Sequence, residues 1–140
     1  MTAVLGAPPV VDLGEVRRGL VDAADGCRDL DAVLDAARAA EHDGAEAVVV
    51  PAPDADRPGA HHWPATAQAL AVLLATSSLR VVVPVHPAAW EPASLARFAA
   101  GATSLAGDRL VVRVLGPTGP AAVFAERLRA RWDGAVDVGE

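Results

Sequence analysis

The strongest constraint on this chain is a rhythm of short valine-rich runs separated by longer alanine-rich stretches. The runs are VVDLGEV at 10–16, AEAVVVP at 45–51, LRVVVPV at 79–85, DRLVVRVLG at 108–116 and DGAVDVGE at 133–140. They recur about every thirty residues, the size of a βα unit. Near-continuous branched apolar runs, rather than alternating ones, mark parallel strands covered on both faces. The expected fold class is therefore α/β, built from successive parallel βα units.

Between the runs lie four helical patterns. RDLDAVLDAARAAEHDG (28–44) offers Asp29 or Asp31 as cap, Leu30, Val33, Leu34 and Ala37 on one face, and Gly44 as stop. The second helix starts at Pro64, where a missing N–H does no harm, and runs through Ala67, Leu70, Ala71 and Leu74 to the Thr76-Ser77-Ser78 break. EPASLARFAAGATSLAG (91–107) turns Leu95, Phe98, Ala99 and Ala102 inward, and PAAVFAERLRARW (120–132) makes the fourth. VVDLGEV is expected as the first strand, with Ala3–Leu5 as its alternative. RRGLVDAADGCR (17–28) then reads as a long polar loop of the kind that carries function or wraps a partner. Two phrases echo. Val48–Pro51 leads to His62-Trp63-Pro64 much as Val81–Pro84 leads to His86, Trp90 and Pro92. AARAAEHDGAEAVVV and AERLRARWDGAVDVG both place Asp-Gly-Ala between helix and strand, as short helix-to-strand turns favour.

At 140 residues, 52% of them hydrophobic and 21% charged, the chain is expected to form one domain, 1–140, with its own core. No apolar run is long enough to span a bilayer, and the N-terminus lacks the basic start and apolar stretch of a secretion signal, so a cytoplasmic protein is expected. One cysteine excludes an internal disulfide. A net charge of −6 with no basic cluster argues against nucleic acid and against anionic membrane. The chain contains no Lys, Tyr or Asn. That removes P-loop and Schiff-base lysines, Ser-Lys pairs and tyrosine acids.

From about Cys27 to Gly116 the chain resembles the N-terminal part of the luciferase-like flavin-dependent monooxygenases, especially the alkanesulfonate monooxygenase branch. The phrases AARAAEHDGAEAVVVP, ATSSLRVVVPVHP and EPASLARFAAGATSLAGDRLVVRVLG carry the resemblance. In the last, Pro92, Ala96, Arg97, Ala99, Ala100, Leu105, Gly107, Arg109 and Leu110 stand where the family has PxxxARxAAxxxxLSxGRL before its fourth strand. The resemblance implies a (β/α)8 TIM barrel that uses reduced FMN from a separate reductase, with substrate at the C-terminal ends of the strands. Here four or five strands stand where the family has eight, so the fold implied is a truncated, half-barrel version. The family's flavin-phosphate loops and several of its catalytic residues belong to the later strands. The branch's cysteine after the second strand has no counterpart in PAPDADRPGAHHW (51–63), and LGPTGP (115–120) is richer in proline than the family's loop.

Half a barrel exposes two strand edges and an apolar interior. A homodimer or a larger flavoprotein subunit is expected to cover them, unless the sheet opens into a doubly wound layer. The function implied is a monooxygenase-related domain working within an oligomer. The alternative is a partner or scaffold that keeps the fold and does not bind flavin.

The resemblance places His86 at the functional rim after the third strand, as the best catalytic candidate; the plainer reading is a solvated histidine or one packed on Trp90. His61 and His62 follow the second strand and are candidates for ligand binding with it, but no carboxylate or thiol sits at ligand spacing, so no metal site is expected. Trp63 and Trp90 form either a stacking surface for an isoalloxazine ring or caps on the helices that follow. Arg113 interrupts VVRVL and must face a polar lumen, a carboxylate or an interface. His42 suits a helix C-terminus. Gly116-Pro117-Thr118-Gly119 offers few N–H groups to a phosphate, and Cys27 is a lone loop thiol.

Overall fold

A computed structural model describes residues 10–13, 26–51 and 63–139. The elements run β1 (Val10–Asp12), α1 (Gly26–His42), β2 (Ala47–Val49), α2 (Ala65–Ala75), β3 (Arg80–Val85), a single 3-10 turn (Pro87–Ala89), α3 (Pro92–Ala106), β4 (Leu110–Val114), α4 (Thr118–Arg129) and β5 (Ala135–Val138). The five strands form one all-parallel sheet in the order β1-β2-β3-β4-β5. Sequential order has no switch point, which rules out the doubly wound alternative.

Side-chain alternation separates the two faces. Leu13, Val48, Val50, Val81, Val83, Val85, Leu110, Val112 and Val114 form one buried cluster with residues from all four helices, including Val33, Val72, Leu95, Phe124 and Leu128. The helices thus occupy a single face. On the other face, Val82 and Pro84 of the central strand are buried, whereas Val49, Val111, Arg113 and Asp137 remain half-buried. The valine runs anticipate cover on both faces, but among the described elements helices cover only one. The arrangement is a length of barrel wall with its helices outside.

Helix positions follow the sequence with instructive shifts. α1 begins at Gly26, so Asp29 and Asp31 lie inside its first turns rather than capping it. Acidic residues there still favour the positive end of the helix dipole. It ends at His42, and Gly44 takes φ +88° while Ala45 N–H reaches back to Ala40 O at 2.9 Å, a glycine-terminated stop. In α2 the buried residues are Ala65, Thr66, Gln68, Ala69, Val72 and Leu73; Ala67, Leu70 and Ala71 are half-buried and Leu74 is exposed. A helix apolar almost all round does not mark its own inward face. In α3, Leu95, Ala99 and Ala102 are buried as expected, with Phe98 half-buried. α4 starts earlier than its pattern, at Thr118, and ends at Arg129. Of the expected first strand, Val10–Asp12 is described as strand; Ala3–Leu5, residues 14–16 and residues 17–25 of the polar loop lie outside the described residues.

At the N-terminal ends of the strands, the turn between α2 and β3 is held from two sides. Glu41 of α1 accepts backbone N–H groups from Ser77, Ser78 and Leu79 at 3.0, 2.8 and 3.1 Å. These bonds hold its carboxyl below the usual range against the opposing effect of burial, the Ser78 amide contributing most. Arg109 donates to the carbonyls of Leu73, Thr76, Leu79 and Ala106 and to Thr76 Oγ1, at 2.7 to 3.1 Å. A carboxylate supplies acceptors and a guanidinium supplies donors, so the backbone groups left over where α2 ends are satisfied without a glycine cap.

Candidate functional site

The opposite end of the sheet, where strands end and loops begin, is the functional end of a barrel. Its ladders persist to the rim: Leu115 N–H donates to Val85 O at 2.8 Å and Gly139 N–H to Val114 O at 3.0 Å. His86 follows β3 directly, half-buried, and its carbonyl accepts Ala89 N–H at 3.0 Å to open the 3-10 turn. Gly116 of the loop after β4 takes φ +114°, and a Cβ there would stand 4.0 Å from Pro87 Cδ. The loops after β3 and β4 therefore lie against each other, and His86 stands beside their junction.

Arg113 is the charged residue that the sequence sets inside an apolar strand, and the structure supplies its partner. Its Nε donates to Asp137 Oδ1 at 3.0 Å and its Nη2 to Oδ2 at 3.3 Å, a two-pronged pair between registered neighbours of β4 and β5. Two prongs fix the guanidinium plane as well as its position. The pair lies on the helix-free face, level with Pro84 of β3. Gly139 makes room for it, since a Cβ there would come within 2.7 Å of Arg113 Cδ. In the preceding row of the same face, Val49, Val82 and Val111 stand side by side. The face thus combines an apolar floor with a polar, hydrogen-bonding margin below His86.

The two tryptophans occupy different surroundings. Trp90 is half-buried against the core. Trp63 is 40% exposed just before α2, and its carbonyl accepts Gln68 Nε2 at 2.7 Å. His61 and His62 lie outside the described residues, so their approach to His86 is not part of this geometry. Among the described residues no three His, Cys, Asp or Glu side chains gather as metal ligands. Asp137 and Gly139 are not marked as site residues by the sequence. The signal is present in the matching centres of VVRV and AVDV, but only the β4–β5 register makes them neighbours.

The sequence profile of the family described as luciferase-like monooxygenase matches residues 10–138, nearly the whole chain. The chain belongs to the luciferase-like monooxygenase family. No curated protein sequence matches it significantly. Among solved structures it is similar to EDTA monooxygenase (EmoA) from Chelativorans sp. BNC1, with a TM-score of 0.67 and 15% sequence identity over 86% of this chain. At that identity the likeness is one of fold. The chain spans about a third, 35%, of the length of that monooxygenase. In this luciferase-like chain, Arg109 of the family-like GDRL phrase lies at the end of the sheet opposite the rim, where it binds carbonyls. That part of the resemblance therefore reports the fold's stability, whereas His86, Arg113 and Trp90 stand nearer the rim. No helix among the described residues is long and apolar enough to cross a membrane.

Proposed function

We propose that residues 1–140 form one domain that supplies the N-terminal half of a flavin-dependent monooxygenase barrel. Another polypeptide, a second copy or a larger flavoprotein subunit, completes its site. The observation that carries this reading is the helix-free face, where Val49, Val82 and Val111 make an apolar floor beside the Arg113–Asp137 pair. An apolar surface with a few placed polar groups suits one face and one edge of a flat heterocycle. The residues fit the ring of reduced FMN and do not fit its phosphate. Among the described residues of this end, the cation on the face is Arg113, already engaged by Asp137, and Pro117 and Pro120 thin out the N–H groups where α4 begins. The phosphate contact is assigned to the completing polypeptide. A bound reduced flavin would supply the electrons for oxygen activation. In this chain Val82 and Val111 would exclude water from the ring, Arg113 would hydrogen-bond its polar edge, and His86 would hold or move a proton at the rim. Within the family, the α3–β4 phrase is the support for the alkanesulfonate branch.

The thin phosphate grip also favours a second reading, a partner that keeps the fold without binding flavin. Titration with FMN, and with reduced FMN under anaerobic conditions, separates the two by fluorescence quenching. Saturable quenching that Arg113→Ala weakens is the expected result. No binding on the order of hundreds of micromolar, a dissociation constant too weak for a cofactor, would overturn the flavin reading.

A further inference from the structure

We propose that Asp137 is a positioning residue: it fixes one side of the Arg113 guanidinium and balances its charge, so that the other side reads the shape of a planar, two-acceptor edge rather than a negative charge. For the identity of that edge this rests on the flavin reading above. Asp137 engages Nε and Nη2 at 3.0 and 3.3 Å, one of the forks that a guanidinium offers. Nη1 and Nη2 form a second fork, coplanar with the first and directed away from it. Among the described residues that second fork meets no acceptor, and 36% of the Arg113 side chain is exposed. Gly139 holds the stem. A Cβ there would fall 2.7 Å from Cδ and 3.4 Å from Nε, so the stem lies close against the backbone that follows β5. With the stem set by Gly139 and the plane set by Asp137, the second fork is oriented before any ligand arrives.

The ligand class follows from charge and flatness. Pro84, Arg113 and Asp137 form one row across the sheet, with one charge of each sign. Val82 and Val111 form the row beneath it. A flat ring resting on those valines brings its edge to the second fork. Two acceptors side by side on that edge, a carbonyl next to an unprotonated ring nitrogen, match two parallel N–H groups. The pyrimidine edge of a flavin carries such a pair, neutral in the oxidised ring and negatively charged in the reduced anion. An arginine without a carboxylate beside it would hold the anion far more tightly. The Asp137 carboxylate offsets that preference by like-charge repulsion. The contact then accepts the reduced ring and still releases the oxidised one.

Two probes test the assignment on the full chain. Benzoate, a planar carboxylate on an apolar ring, is titrated without flavin and followed by the Gly139 amide resonance in NMR spectra. Asp137→Asn keeps an acceptor for Nε and removes the charge, so it should bind benzoate at least about tenfold more tightly than the wild-type chain. Asp137→Glu keeps the charge and should stay within about threefold of wild type. Oxidised and reduced FMN, titrated anaerobically in alkaline buffer, should bind the wild-type chain with similar affinity. Asp137→Asn should shift that ratio about tenfold toward the reduced form. A residue that merely stabilised β5 would weaken every ligand alike and leave the ratio unmoved. Unchanged benzoate affinity in Asp137→Asn, or a gain that persists when Arg113→Met is added, would overturn the proposal. So would FMN binding with an unchanged redox ratio. A benzoate gain with no FMN binding would overturn the flavin reading and leave the role of Asp137 standing.

Discussion

Arg109→Met tests the idea that the α2–β3 turn is held by opposite charges. Arg109 feeds donors to Leu73 O at 2.7 Å and to Leu79 O at 3.1 Å, and both residues are 1% exposed. Methionine keeps most of the apolar stem but removes every donor, leaving two buried carbonyls without partners. At roughly 1.5 kcal/mol for each orphaned group, the loss is about 3 kcal/mol. For a domain of this size that lowers Tm by about 10 °C. Urea denaturation followed by circular dichroism should show a lower midpoint at unchanged slope, since the surface exposed on unfolding is the same. Arg109→Lys should recover less than half, because one ammonium cannot reach acceptors that a planar fork spans. A loss below about 0.5 kcal/mol for Arg109→Met, the range of an ordinary surface change, would refute the reasoning.

The same turn makes a pH prediction. The folded carboxyl of Glu41 titrates below its ordinary value of 4.5, so its contribution is present above that pH and is lost as pH falls through the lower folded value. Glu41→Gln should flatten the acid limb of the stability curve below about pH 4.5, measured by urea midpoints across pH. Gly101 sits inside α3, and a methyl group added there would meet nothing within 4 Å, so Gly101→Ala should stabilise by about 0.5–1 kcal/mol in the same assay. Gly134→Ala should cost about 1–3 kcal/mol, because the added Cβ falls into the ring of Trp132, itself buried at 7% exposure; near-ultraviolet circular dichroism of the ring should change with it.

The two Asp-Gly turns show where reading by analogy stops. Asp43-Gly44 and Asp133-Gly134 look like one solution used twice. Gly44 takes φ +88°, whereas Gly134 is not among the positive-φ glycines and is needed to clear the Trp132 ring. Local sequence names a glycine; what surrounds it supplies the reason. His86 was legible as the residue after the third strand because the run LRVVVPV ends at Val85, and the resemblance sets that strand end at the rim. Arg113 was legible as a residue in need of a partner, but its partner was not, since Asp137 is 24 residues away and is brought level only by strand pairing.

By itself, the sequence determined the parallel βα order, the helix stops and the family. Those depend on periodicity, turn residues and motif phrases, all of which act within a few residues of one another. Tertiary structure alone decided that all four helices share one face, which side of α2 turns inward, and that Arg113 meets Asp137 over a valine floor. It also decided that Arg129 of α4 donates to the Val136 carbonyl of β5. Each of these depends on the register and curvature of the sheet, which arise only when distant segments pack together.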